Sequence, residues 1–139
     1  MLGRLSTINI SASGMAAERQ RMEVIAANIA NANTTRTETG EPYRRKNVVF
    51  AALNDGLNNK PQGVQVIGIE SDQTPFEWAH NPGHPHADAD GNLLLPNVRV
   101  PNELIDLISA SRSYEANLRS ISLFKEMVEE TLSLISGGR

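Results

Sequence analysis

The sequence predicts an α+β fold, in which long N- and C-terminal helices pack as a coiled-coil-like pair and a small β-rich subdomain lies between them in the chain. All seven prolines fall between Pro42 and Pro101, and proline breaks a helix interior because it lacks the N–H that the helix needs. Both ends instead repeat apolar residues at heptad spacing, which is typical of helices packed along a narrow seam. We therefore divide the chain into an N-terminal helix (residues 1–34), a β-rich middle (35–101) and a C-terminal helix (102–139).

The N-terminal segment is expected to be one long helix with an apolar seam. Seven of its eight heptad positions hold apolar or small side chains, and Arg19 is the exception. Asn28 and Asn31 lie three residues apart and so on one helix face, where amides can pair across an interface and set the register of packed helices. The sequence leaves open whether this helix bends at Gly14. The residues expected at subunit interfaces are Leu5, Ile8, Met15, Met22, Asn28, Ile29 and Asn31.

The middle segment is expected to hold three or four short strands. Residues 43–50 and 64–69 are rich in β-branched and aromatic side chains, and turn-forming residues lie between them. Asp90 and Gly91 predict a hairpin turn before a strand at residues 92–95, since glycine readily adopts a positive φ. The path of residues 35–42 is left open.

The C-terminal segment repeats the heptad pattern after Asn102, which is expected to cap the helix N-terminus. The helix should stop near Gly137, because glycine is the preferred residue just past a helix end. Helices of about 28 and 34 residues would be about 40 and 50 Å long. We expect each seam to pair partly within the chain and partly with helices of other subunits; an intramolecular helical hairpin with a decorated loop is the alternative. The interface residues expected on this helix are Leu104, Leu107, Tyr114, Leu118, Ile121, Val128, Leu132 and Ile135.

Composition excludes several classes of function. The chain has no cysteine, which excludes disulfides, thiolate metal sites and a cysteine nucleophile. Its formal net charge is −3 and its basic residues are scattered, so no nucleic-acid binding is expected. The longest apolar run, residues 48–53, is far too short to span a bilayer. No secretory signal peptide is expected either, because polar residues interrupt the first turns, and the mature chain is expected to begin at or near Met1.

All three histidines lie in one loop, followed closely by two aspartates. Imidazole and carboxylate groups can together hold a metal ion, so a small metal-dependent enzyme using loop 80–90 is an alternative function. The side chains concerned are His80, His84, His86, Asp88 and Asp90. A calcium loop is not supported, since the twelfth position counted from Asp88 is the cation Arg99. The interpretation we favour is a loop whose Asp and Asn side chains hold turns, with no metal, cofactor or catalytic residue.

Several blocks of the sequence resemble one family. Residues 11–15 (SASGM) and 26–34 (AANIANANT) resemble the signature of the bacterial flagellar axial proteins of the rod and hook. Residues 82–85 (PGHP), 95–98 (LPNV) and 107–117 (LISASRSYEAN) are similar to the proximal-rod subunits of the C type within that family. The blocks keep their order and span nearly the whole chain. The sequence departs from the family after the second block, where many members have a glycine and an aromatic residue.

The resemblance implies a structural, non-enzymatic subunit of the flagellar basal-body rod. Such subunits stack with helical symmetry into a hollow drive shaft, which crosses the periplasm, transmits torque and forms the export channel. Their terminal helices form the inner tube, and the middle segment forms an outer β-rich domain. The implied partners are further copies of the chain, other flagellar rod subunits and the flagellar export apparatus, in a helical hetero-oligomer. The implied route out of the cell is type III export without a cleaved signal peptide. A soluble helical adaptor is the remaining alternative.

Overall fold

The computed structural model of the protein describes residues 2–54, 56 and 60–137, with side chains of the first helix described from residue 7 onward. Two terminal helices of 29 and 37 residues enclose a middle made of antiparallel strand pairs. The predicted α+β fold is therefore confirmed. In chain order the elements are α1 (Leu2–Ala30), β1 (Lys46–Asn54), β2 (Pro61–Ser71), β3 (Glu77–His80), β4 (Asn92–Leu95) and α2 (Val100–Ser136).

The two helices pack against each other in opposite directions. Near the end of α1, Asn28 Nδ2 donates a hydrogen bond to Glu103 Oε2 in the first turn of α2, at 2.9 Å. Fourteen residues earlier in α1, Gly14 lies beside Asn117, fourteen residues further along α2, and a Cβ at Gly14 would lie 2.9 Å from the Asn117 amide nitrogen. The missing side chain lets the helices approach closely, and α1 continues through this glycine without a break.

This register leaves the end of α2 without a packed neighbour among the residues that the structure describes. Because α2 is the longer helix, its last two turns extend past the beginning of α1. We call this segment, residues 130–136, the overhang; all of its residues are exposed. Over the part of the chain that the structure describes, neither helix has an apolar stretch of the length and hydropathy needed to cross a membrane.

The seam of α2 that packs on α1 differs from the predicted heptad at every second position. The predicted members that are half-buried in this seam are Leu107, Tyr114, Ile121 and Val128. The buried or half-buried residues between them are Glu103, Ala110, Asn117 and Phe124. Apolarity alone selects Leu104 and Leu118 for these positions. The close approach of the helices instead favours the small Ala110, Asn117 beside Gly14, and Glu103, which pairs with Asn28.

The strands β1 and β2 form a long antiparallel hairpin with a β-bulge between Val49 and Phe50. The predicted strand at residues 43–50 begins three residues late. Its first residues cannot join the ladder, because Tyr43 N donates to Thr34 O at 2.9 Å and Arg45 N donates to the Asn97 side chain at 2.7 Å. The same Tyr43–Thr34 bond closes the loop that follows α1.

The hairpin lies along α1 and is attached to it near the hairpin's far end. Val64 N donates to Ser13 Oγ at 3.0 Å, and the Ser13 hydroxyl in turn donates to Ile10 O at 2.7 Å. Gly63 permits this approach: its φ is +151°, and a Cβ there would collide with Ser13 Oγ. The hairpin thus runs beside α1 from Lys46, next to Asn28, back to Ser13.

The second strand pair, β3 with β4, is joined by the loop that carries the histidines. The predicted turn is present. Gly91 has a φ of 78°, and its N–H donates to Asp88 O at 3.0 Å. Asp88 Oδ1 accepts from the N–H groups of Asp90 and Asn92, at 3.0 and 2.8 Å. An aspartate side chain therefore holds this turn, as an Asx turn does.

The start of α2 differs from the prediction. The helix begins at Val100, with Arg99 in extended conformation at the cap position and no side-chain hydrogen bond there, so the predicted Asn102 cap is wrong. Pro101 falls in the first turn, where its missing N–H costs nothing because first-turn N–H groups have no partner in the helix. The predicted end is confirmed: the helix stops at Ser136, and Gly137 N donates to Ser133 O at 2.8 Å.

Candidate assembly surface and its supporting polar cluster

One side of α2 carries large apolar side chains that the described part of the chain leaves exposed. They recur on the side of the helix roughly opposite the seam that packs on α1, as the 3.6-residue helical period requires. The fractional exposures of Ile105, Leu123 and Leu134 are 66, 61 and 74%. We call this stripe the outer face of α2; it consists of Ile105, Ile108, Leu123, Met127 and Leu134. Single exposed apolar residues are ordinary, but an aligned set along one helix marks an interaction surface.

The outer face is not flat. An open, shallow depression lies over its first half and is lined in part by Ile105, Ile108, Arg112 and Ala116. A second depression of about 250 Å³ lies over its last third and is lined in part by Met127 and Leu134. Depressions of this kind can accept side chains from a helix laid across them, as ridges on one helix fill grooves on another.

The structure divides the predicted interface residues into three groups. Those half-buried within the chain are Ile8, Met15, Met22, Ile29, Asn31, Leu107, Tyr114, Ile121 and Val128, and Asn28 is fully buried. Those exposed are Leu104, Leu118, Leu132 and Ile135. The side chain of Leu5 lies outside the described residues. Leu132 and Ile135 continue the seam into the overhang, where α1 no longer covers it.

The sequence prediction contained none of the outer-face residues. It assigned one heptad register to the C-terminal segment, and the outer face follows a second stripe on the other side of the same helix. The signal was present, because Ile105, Ile108 and Leu123 are apolar and lie outside the assigned register. A helix that is apolar on two sides is typical of one that packs against more than one neighbour.

Asn28 lies at the centre of a buried polar cluster and has no exposed surface. Its Nδ2 donates to Lys46 O and to Glu103 Oε2, each at 2.9 Å. Its Oδ1 accepts from Lys46 N at 3.0 Å and from Tyr43 Oη at 3.1 Å. Both donors and both lone pairs of the amide are therefore used. Asn31 is also engaged within the chain, where its Nδ2 donates to Ala27 O at 2.9 Å.

Glu103 and Arg45 form the charged part of the cluster. Glu103 is fully buried, and its Oε1 accepts a short hydrogen bond from Arg45 Nε. The Arg45 guanidinium also donates to Asp106 Oδ2 at 3.1 Å and lies 3.5 Å from Asp72 Oδ2. Burial alone would lower the pKa of Arg45, but the hydrogen bond and charge of Glu103 and the charges of Asp106 and Asp72 raise it above its usual value. Burial also raises the pKa of Tyr43, and the charge of Glu103 raises it further.

The carboxylate of Asp72 gives the cluster a dependence on pH. Asp72 Oδ1 accepts from Thr74 Oγ1 and Thr74 N, at 2.5 and 2.9 Å. These bonds, together with the charge of Arg45, hold the pKa of Asp72 below its usual value. A lowered pKa stabilises the fold above the unfolded-state pKa, and this contribution is lost as the pH falls through the folded-state value.

We expect Asp72→Asn to lower the free energy of unfolding by an amount that is constant near neutral pH. Below about pH 4 the difference between variant and wild type should shrink, because the wild-type carboxyl becomes protonated. Denaturant titrations of both proteins between neutral pH and about pH 3 measure the difference in the free energy of unfolding. A difference that stays constant down to about pH 3 would contradict the role given to the ionised carboxylate.

The histidine loop does not assemble a metal site among the residues that the structure describes, where no group of three His, Asp or Glu side chains could hold an ion. His86 Nδ1 lies 2.8 Å from Thr35 Oγ1, and His84 Nδ1 accepts from His86 N at 3.1 Å. His80 Nδ1 lies 3.5 Å from Asn92 Oδ1. Each histidine thus holds the loop or its neighbours, and the arrangement does not support the metal-dependent enzyme.

Comparison with known proteins gives matches at both ends of the chain and along its full length. Residues 8–36 match the family model described as flagella basal body rod protein. Residues 89–134 match the model described as flagellar basal body rod FlgEFG protein C-terminal. The first match covers most of α1, and the second covers β4 and nearly all of α2.

Three relatives illustrate the full-length similarity, and each is named flagellar basal-body rod protein FlgC. The protein of Borreliella burgdorferi is 40% identical over an alignment covering 98% of this chain and 100% of the relative. That of Salmonella typhimurium is 38% identical, covering 94% of this chain and 96% of the relative. That of Bacillus subtilis is 36% identical, covering 92 and 95%.

Proposed function

The chain belongs to the flagellar basal-body rod proteins of the FlgC type and is a structural subunit of the rod, and on this premise we propose that the exposed side of α2 binds neighbouring rod subunits. The observation that carries the proposal is the outer face, whose exposed apolar side chains form one group at residues 105–108 and a second at residues 123–134. The overhang adds Leu132 and Ile135, where the seam continues beyond α1. The neighbours are further copies of the chain and other flagellar rod subunits.

We propose that these contacts are heterologous, each joining one surface of a subunit to a different surface of the next. Contacts of this type generate open helical filaments when the rotation between neighbours does not close a ring. The predicted interface residues of α1 and of the seam contribute by holding the helix pair together, and Leu104, Leu118, Leu132 and Ile135 contribute directly. Burying one such side chain provides roughly 1.5–3 kcal/mol, so a few per neighbour suffice when many neighbours are engaged.

We also propose where the subunit lies in the flagellum and what it does there. The assembled subunits form the hollow shaft that crosses the periplasm, transmits torque and encloses the export channel, with the helix pairs as the inner tube and the strand pairs outside. The chain reaches this place through the flagellar export apparatus, without a cleaved signal peptide. It has no enzymatic activity of its own. These statements rest on family membership and on the resemblance of the sequence blocks.

The test is deletion of the gene in its own bacterium, followed by isolation of basal bodies. We expect the deletion strain to lack complete rods and to be non-motile, and the wild-type gene to restore both. Leu134→Cys, in a chain that otherwise has no cysteine, labelled with a thiol-to-amine crosslinker, should give crosslinks in basal bodies to copies of the chain or to other rod subunits. Complete rods in the deletion strain would refute the proposal.

Metal analysis of the purified protein distinguishes a rod subunit from a metal-dependent enzyme. Metal analysis is compared between wild type and a variant with all three histidines replaced by alanine. Stoichiometric metal that disappears in the variant, while assembly into rods is untouched, would favour the enzyme.

A further inference from the structure

We infer that the cluster of Asn28, Arg45 and Glu103 is a rigid joint that fixes the direction of the β1–β2 hairpin against the helix pair, with Ser13 as a second point of attachment. Two sequence blocks then have a defined mechanical role, since Ser13 lies in residues 11–15 and Asn28 in residues 26–34. The joint concerns the fold of a single subunit. Its use in passing force from the outer strands to the inner helices rests on the proposed rod function.

Arg45 lies at the base of the hairpin, directly before β1. Its side chain reaches α2 through Glu103 and Asp106. Its backbone oxygen accepts from Asp72 N, just after β2, at 2.8 Å, and its backbone N–H donates to the side chain of Asn97, just before α2, at 2.7 Å. One residue thus connects the start of β1, the end of β2 and the N-terminal turns of α2.

The side chains of Asn97 and Arg44 add further hydrogen bonds at the base of the hairpin. Asn97 Nδ2 donates to Asp72 O and Thr74 O, at 3.1 and 3.0 Å. Arg44 donates to the same two oxygens, at 3.1 and 3.2 Å, and its guanidinium lies 4.2 Å from the centre of the Phe76 ring. Several hydrogen bonds therefore hold the base of the hairpin, and rotation of the hairpin there would break them.

The hairpin is also connected to α1. Asn28 joins Glu103 on α2 to both backbone groups of Lys46, the first residue of β1. About 22 Å away along α1, Ser13 accepts from Val64 N near the other end of the hairpin. Two attachments separated by this distance fix a direction, whereas one alone would act as a pivot. Buried hydrogen-bonded networks of this kind specify a unique geometry when every member is satisfied.

The experiment measures the direction of the hairpin in the isolated subunit. Spin labels are attached at Glu70→Cys on β2, near the base of the hairpin, and Ser120→Cys on α2, both exposed positions in an otherwise cysteine-free chain. Pulsed electron paramagnetic resonance then gives the distribution of distances between them. Arg45→Lys keeps the charge but loses the fork of donors, and we expect it to broaden the distribution about twofold. Adding Ser13→Ala releases both attachments and should broaden it further.

The matched control is Arg99→Lys, which alters an exposed ion pair with Glu77 and should leave the distribution unchanged. An unchanged distribution in the double variant, with helix content preserved, would overturn the joint, as would equal broadening in the control. If Arg45→Lys reduces the helix content, Asn97→Ala is used in its place. The same two results would then overturn the joint. Because the isolated subunit is measured, these outcomes stand apart from the rod phenotype of the deletion strain.

Discussion

Leu123→Asp is expected to abolish incorporation of the subunit into rods while leaving the isolated subunit folded. Leu123 is mostly exposed on the outer face, and exposed substitutions usually change the free energy of unfolding by less than about 0.5 kcal/mol. In an assembled rod, the same change removes a buried side chain worth roughly 1.5–3 kcal/mol and adds an unpaired carboxylate to an apolar contact. The loss repeats at every copy. Swimming in soft agar and the subunit content of isolated basal bodies measure the effect.

Neighbouring positions provide the controls for Leu123→Asp. Ser122→Asp introduces the same charge at the preceding, exposed position and should leave assembly intact. Ile121→Asp places the charge in the seam against α1, so it should lower the stability of the isolated subunit as well as abolish assembly. Normal motility with Leu123→Asp would show that the outer face is not a subunit contact. An unfolded Leu123→Asp subunit would show that the Leu123 side chain belongs to the core of the subunit.

Glu103→Ala is expected to lower the free energy of unfolding by about 2–3 kcal/mol, the usual cost of leaving buried hydrogen-bonding groups without a partner. The change removes one acceptor of the buried Asn28 amide and the fully buried counter-ion of Arg45, which keeps the more exposed Asp72 and Asp106. Unsatisfied buried groups carry the full cost of their lost hydration. Denaturant titration of the purified subunit, followed by circular dichroism, measures the change.

Two further variants test the cause of this loss. Glu77→Ala removes the partner of Arg99 in an exposed ion pair and should cost less than about 1 kcal/mol. Replacing both members of the ion pair, with Glu103→Leu and Arg45→Met, should recover part of the stability, because apolar pairs of similar size often replace buried ion pairs without loss, while the Asn28 amide still lacks one acceptor. If Glu77→Ala were as damaging as Glu103→Ala, burial would not be the reason for the effect.

Much of the fold was predictable because its signals are local. The distribution of proline separates helix from strand, and the heptads identify both helices. The turn at Gly91 follows from the conformational preferences of glycine. The end of α2 coincides with Gly137, although this glycine keeps a right-handed φ of −85°. The limits of β1 were not predictable, because they depend on hydrogen bonds from Tyr43 and Arg45 to residues remote in the sequence.

The candidate site was predictable only in part, because one helix has two apolar sides. Counting apolar residues places Leu104 and Leu118 in the seam, whereas the structure places Glu103 and Asn117 there. A buried glutamate is unfavourable unless it is paired, and its partners Asn28 and Arg45 lie far away in the chain. The asparagines stand out in the sequence, but spacing along one helix does not identify their partners.

The hydrogen bond between Asn28 and Glu103 joins residues 75 positions apart in the sequence, and the contact of Gly14 with Asn117 is more distant still. Folding rates fall as the average sequence separation of contacting residues rises, because the entropy of closing a long loop is lost before the contact is gained. The pairing of the terminal helices should therefore be a late and slow event in the folding of this chain. On the export route proposed above, this delay is an advantage, since slow helix pairing prolongs the extended state in which the chain can be exported.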